Sequence, residues 1–179
     1  MNALDTALLI LRVTLGFVIA AHGYAKFFQG GRIPGTAGWF DSIGMRPGRV
    51  HALSAASSEV AAGVLLALGF LTPLASALVI ALMLVAAWTV HRGHGFFIVG
   101  NGWEYNLFLG ISAFVVAVSG PGSVSVDHAL FGENVPIGVL GGAIAAAAGL
   151  GGGIGTLAVF FRPGRDEAEH DVLRASMRR

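Results

Sequence analysis

The sequence predicts an all-α integral membrane protein. Three observations carry that reading. Hydrophobic residues make up 55% of the 179 and charged ones only 12%, with a mean hydropathy of +0.75, which lies outside the range of a water-soluble domain. The apolar residues fall into stretches long enough to cross a bilayer, and glycine, proline and charge punctuate the gaps between them. Cysteine is absent, which excludes disulfides, iron–sulfur clusters and thiolate metal sites, so any redox role borrows its electrons from a bound cofactor or a partner.

The first stretch, residues 8–28 (LLILRVTLGFVIAAHGYAKFF), rises roughly 31 Å at ~1.5 Å per residue and matches a ~30 Å hydrocarbon layer. It carries Arg12, His22 and Lys26 within an arc of about 80° on a helical wheel. A charge near the centre of a membrane helix costs at least ~2.5–3.5 kcal/mol, so this face is expected to look into protein or a polar cavity rather than lipid. The start lacks the pattern of a cleaved leader, and the first helix is expected to be retained.

Residues 29–51 form a loop that opens on GGRIPG. Within it, 36–43 (TAGWFDSI) reads either as a short interfacial helix with Trp39, Phe40 and Ile43 on its apolar side or as an irregular loop with a buried Trp. Spans two (52–71) and three (74–91) make a tight antiparallel hairpin, because Gly69, Thr72 and Pro73 break the helical pattern between them. Residues 92–102 (RGHGFFIVGNG) hold too much glycine for a helix and too apolar a centre for open water, and are expected to dip into the interface. A fourth span covers 103–118, followed by a Ser-Gly-Pro-Gly stop and an acidic loop around Asp127. The fifth, 135–161, is glycine-rich. Its GxxxG spacings, Gly138/Gly142 and Gly149/Gly153, suit close packing on another helix, within the chain or in a homo-oligomer. The tail from Arg162 alternates Arg with Asp and Glu and reads as a polar end.

With five spans, all but Arg12 of the 11 Lys and Arg residues fall on one side. The positive-inside rule then places the N-terminus outside and the C-terminal tail in the cytoplasm. A net charge of +1 gives no support for nucleic-acid binding; lipid is the expected environment.

The polar residues gather toward the cytoplasmic side. His22 lies roughly 9 Å from the end of span one and Glu59 roughly 10 Å into span two, so the two are expected at matching depth, with Lys26 one turn away. His91, His94, Asn101, Glu104 and Asn106 would complete a ring at the same end, although Glu104 and Asn106 point about 200° apart on a helix. Such a cluster either clamps helices through buried ion pairs or handles protons and a ligand. His22, His91 and His94 with Glu59 or Glu104 have metal-ligand chemistry, but neither HxxxH nor HExxH spacing is present, and no metal is predicted. Arg12, ~21 Å along the helix from Lys26, is a second polar site that either snorkels or bonds backbone carbonyls.

Taken in order, LRVTLGFVIAAHGYAKFF, GTAGWFDSIGM, SEVAAGVLLALGFLTPLA, HRGHGFF with NGWEYNL, and GPGSVSVD resemble the DoxX family of small bacterial membrane proteins over about residues 8–130. The resemblance implies a four-helix transmembrane bundle over 1–131, leaving a fifth helix (132–161) and a charged tail (162–179) as additions. Arg12, His22, Lys26, Glu59, His91 and Glu104 match recurring polar positions of that family. Because the family includes the membrane subunit of a thiosulfate:quinone oxidoreductase, the resemblance implies a plasma-membrane subunit of an oxidoreductase or redox-stress system, with a non-covalent quinone as cofactor and redox proteins as partners. The rival is a non-catalytic assembly or docking protein for such enzymes, and a conduit for small solutes stands third. Whether the chain is itself an enzyme is left open by the resemblance.

Overall fold

A computed structural model describes residues 2–163; the charged tail beyond them lies outside the described residues. Helix α1 (Ala3–Phe28) starts on a reciprocal cap, in which Asn2 Oδ1 accepts from the Asp5 N–H at 2.8 Å and Asp5 Oδ2 accepts from the Asn2 N–H at 3.1 Å. The first loop does contain a helix, α2 (Arg32–Ser42), longer than the stretch predicted and buried through Ala37 and Phe40. Helix α3 (Gly48–Leu68) stops at Gly69, whose φ of +62° is the left-handed cap conformation. Helix α4 (Thr72–Ala86) restarts with Pro73 in its first turn and continues through a π-helical turn, Ala87–His91, and a 3₁₀ turn, Arg92–His94. Helices α5 (Glu104–Ser119), α6 (Val126–Phe131) and α7 (Gly138–Phe160) follow.

Among the described residues, four helical stretches are long and apolar enough to cross a membrane: Ala3–Phe28, Gly48–Leu68, Thr72–His94 and Gly138–Phe160. Helix α5 is apolar but has 16 residues, about 24 Å at ~1.5 Å each, so it is the short member of the set. Helices α1, α3, α4 and α5 each pack on the next and close into a ring around Ile19, Leu66, Val79, Leu109 and Val116. Helix α7 lies outside that ring against α4 and α5.

Small residues decide which helices touch closely. A Cβ on Gly16 of α1 would meet the Gly63 carbonyl of α3, and one on Gly63 would meet the Gly16 carbonyl, so the two backbones cross in contact. On α7, Gly149 and Gly153 face Ile80 and Leu84 of α4, and Gly142 faces Phe114 and Val118 of α5. The Gly138/Gly142 pairing is corrected: Gly138 begins the helix at φ +63° with open space on its Cβ side, so it serves the turn and not the packing.

The two ends of the bundle are fixed by loop contacts. Asp5 Oδ1 accepts from the Ser123 N–H at 2.9 Å at one end. At the other, the Arg162 N–H donates to the Gly44 carbonyl at 2.7 Å, and Met45 bridges Phe161. Helices α1 and α7 therefore run in the same direction, with α3, α4 and α5 alternating between them.

Candidate functional site

Charge is buried near each end of the bundle. Near the C-terminal end of α1, Lys26 Nζ donates to both Glu59 carboxylate oxygens, at 2.7 and 2.6 Å, with side chains 22% and 9% exposed. Of the two cations expected near Glu59, His22 at matching depth and Lys26 one turn away, the structure bonds it to Lys26. The reason is the direction of side chains, which lean toward the N-terminus of their own helix. In the antiparallel α1 and α3 the two lean toward each other along the axis, so the long Lys26 stem reaches back one turn while Glu59 leans the opposite way to meet it. His22 is exposed, stands within electrostatic reach of Glu59, and has its ring 6.3 Å from that of Tyr105.

Lys26 and Glu59 line a cleft of about 580 Å³ that runs between α3 and α7 along α4. Leu74, Ala77, Leu78 and Ala81 of α4 and Ala148 and Gly152 of α7 make its long apolar walls. Trp39 and Phe40 of α2, with Met45, close the end near the ion pair, where Ser54, Ser58 and His51 add polar groups. His51 is 7% exposed, sits between the Phe40 and Phe160 rings at 6.1 and 4.9 Å, and its Nε2 has no hydrogen-bond partner among the described residues. Sequence reasoning missed His51 because it falls at the boundary between loop and span; the signal available was its position two turns before Glu59 on one helix.

The remaining predicted residues serve the turn after α4. His91 Nδ1 donates to the Asn101 carbonyl at 2.7 Å, His94 Nδ1 to the Val90 carbonyl at 3.0 Å, and Glu104 accepts from the Ile98 N–H at 2.9 Å. None of the three lines the cleft. The structure thus joins Lys26 to Glu59, places His22 beside them, and holds His91 and Glu104 in a separate group. Among the described residues, no set of three or more His, Asp or Glu is placed to hold a metal ion.

The opposite end is built on Arg12, 2% exposed. Its Nε donates to the Pro121 carbonyl at 3.0 Å, one terminal nitrogen to the carbonyls of Leu66 (3.2 Å) and Ala67, and the other to that of Val124. Two of these carbonyls belong to the last turn of α3, where that of Leu66 also accepts from the Gly69 N–H at 3.0 Å. Asp127, also 2% exposed, supplies the reverse service to α4: it accepts from the N–H groups of Leu71 and Thr72 at 2.8 and 2.9 Å and from the Thr72 hydroxyl at 2.7 Å. Of the two expectations for Arg12, bonding to backbone carbonyls is the one realised.

Fold and site together define a helical integral membrane protein in which a buried ion pair borders an apolar cleft. Residues 7–92, a little under half of the chain, match the family model described as DoxX, so the chain carries a DoxX domain over those residues. The match takes in α1 to the end of the α4 rod, including Arg12, His22, Lys26, Glu59 and His91, and stops before α5 and Glu104. No curated protein and no solved structure matches the chain.

Proposed function

We propose that the chain is the membrane subunit of an oxidoreductase system, and that the cleft beside Lys26 and Glu59 receives a quinone headgroup or handles its protons. One observation carries this reading: the ion pair, with Glu59 buried and Lys26 half-buried, borders a cleft whose walls are mostly apolar. A quinone has the matching shape, a polar ring at one end of a hydrocarbon chain.

The residues fit the group. Quinone carbonyls only accept hydrogen bonds, and the Lys26 ammonium has three N–H donors, two of them directed at Glu59. His51 Nε2 adds a second group able to donate or accept. Glu59 keeps Lys26 charged and can take up or release a proton at a carboxylate oxygen, while the α4 and α7 walls exclude water and hold the tail. A bound quinone supplies a two-electron, two-proton couple; the electrons come from a partner, since the chain has no cysteine to hold a redox centre.

The same reading places the cleft near the cytoplasmic face of a bacterial plasma membrane, with the family bundle extended by α7. Helix α5, short as it is, runs from Tyr105 beside His22 to the Pro121 turn beside Arg12, which supports its being a span. Counting it gives five spans with the N-terminus outside. Lys26, Arg32, Arg46, Arg49, Arg92 and Arg162 then lie on the inner side.

Mass spectrometry of the protein purified in native lipid tests the proposal. Near-stoichiometric quinone is expected with the wild-type chain, falling to the level of the surrounding lipid in Lys26→Gln. Equal amounts in both samples would remove the quinone and leave an assembly or docking role.

A further inference from the structure

We infer that the groove between α4, α5 and α7 is a second binding site, for a membrane-dissolved amphiphile that carries a hydroxyl group. This groove lies on a different face of α4 from the Lys26 cleft and holds about 470 Å³, within the ~300–1,000 Å³ usual for small-molecule sites. Its walls are hydrocarbon, from Met83 and Leu84 of α4, Phe114 of α5 and Leu150 of α7. Asn106, near the start of α5, is 6% exposed and, besides the Trp103 indole, brings a polar group to the groove.

The chemistry of Asn106 sets the ligand. Its Nδ2 stands 3.8 Å from the Met83 sulfur, and its Oδ1 has no partner among the described residues. A thioether sulfur accepts and cannot donate, so the nitrogen belongs on that side and the oxygen is the atom left over. An amide oxygen buried without a donor is costly, and hydrocarbon surroundings offer no bulk water to supply one. Apolar walls call for a hydrocarbon body and the oxygen calls for an O–H. Gly110, one turn along from Asn106, keeps the groove open: the nearest atom to a Cβ there would be the Met83 Cβ at 3.8 Å. The preference is the reverse of that in the first cleft, where Lys26 offers donors to an acceptor ligand, and it does not depend on that reading. Helices α5 and α7 both lie beyond residue 92, so two of the three walls are outside the family match.

The test uses the full chain in lipid nanodiscs, carrying Trp39→Phe and Trp88→Phe so that Trp103, which lines the groove, is the remaining indole. The probes are 1-decanol and its methyl ether at matched membrane concentrations. A saturable change in Trp103 emission is expected, with decanol half-saturating about tenfold below the ether, the scale of one hydrogen bond to a buried acceptor. Asn106→Leu should erase that difference, and Gly110→Leu, which keeps Asn106 and fills the groove, should abolish saturation by both. Melting curves show whether each variant is folded. Equal titration by alcohol and ether in the native chain, an unsaturable response to both, or an alcohol preference that survives Asn106→Leu would each overturn the assignment.

Discussion

The two ends of this bundle bury charge in opposite ways. At the Arg12 end every arm of the guanidinium meets a backbone carbonyl, in the last turn of α3 or in the loop after α5, and Asp127 meets the N–H groups at the start of α4, so both charges are satisfied by backbone. At the Lys26 end one cation meets one anion, with a cleft on one side and, nearby, the His51 Nε2, which has no partner among the described residues. The comparison separates two meanings of charge in a membrane. A charge satisfied by the backbone is committed to the fold, because moving it would unpair a helix terminus. A charge satisfied only by a titratable side chain beside a cavity can exchange its partner for a ligand without disturbing any helix.

The comparison breaks first at Arg12. Arg12→Leu should cost about 3–5 kcal/mol and show as a large drop in melting temperature and membrane yield, since the carbonyls of Ala67, Pro121 and Val124 lose the guanidinium and that of Leu66 keeps only the Gly69 N–H. Arg12→Lys should rescue little, because an ammonium lacks the fork that reaches carbonyls on two separate segments. A melt close to wild type for either variant would remove the clamp. Packing of the added helix ranks next: Gly149→Leu should cost about 1–3 kcal/mol by overpacking against Ile80, whereas Gly155→Leu, with open space around it, should be near neutral. Equal melts for the two would place α7 elsewhere. Asp127→Ala should cost about 1–2 kcal/mol through the lost α4 cap, and Asp127→Asn less, by the same measurement. Smallest is the effect of removing the whole Lys26–Glu59 pair. Lys26→Gln with Glu59→Gln should melt within about 1 kcal/mol of wild type, while Lys26→Met alone, which strands the carboxylate, should cost more.

Much of the fold was legible because hydropathy and breakers act locally. The hairpin at Gly69 to Pro73 and the long apolar helices α1, α4 and α7 follow from residues close in sequence. The helical reading of the first loop was legible in part, with the helix starting earlier at Arg32. What stayed hidden is long-range. Asp127 caps a helix that begins 55 residues earlier, and nothing in its own loop signals that. The Gly16–Gly63 crossing needs two helices in register, while glycine spacing drew attention to α7 alone. The polar cluster was legible as to residue type and end of the bundle. Its partition was not, because matching Cα depth pairs His22 with Glu59 and only the lean of the side chains hands Glu59 to Lys26. His91 and Glu104 share the end but are held by carbonyls and N–H groups of a glycine-rich turn, whose path has no periodicity to read.

The proposed function makes Lys26 and Glu59 a ligand site, whereas Arg12 and Asp127 clamp the helices. Its most direct measurement is the binding of decylubiquinone to two purified variants whose folding is checked by melting, Lys26→Gln/Glu59→Gln and Asp127→Asn. The account predicts that the first melts like the wild type and loses at least about tenfold in affinity, and that the second melts lower but binds as the wild type does below its transition. Unchanged affinity in the doubly substituted chain, or an equal loss in both, would contradict it.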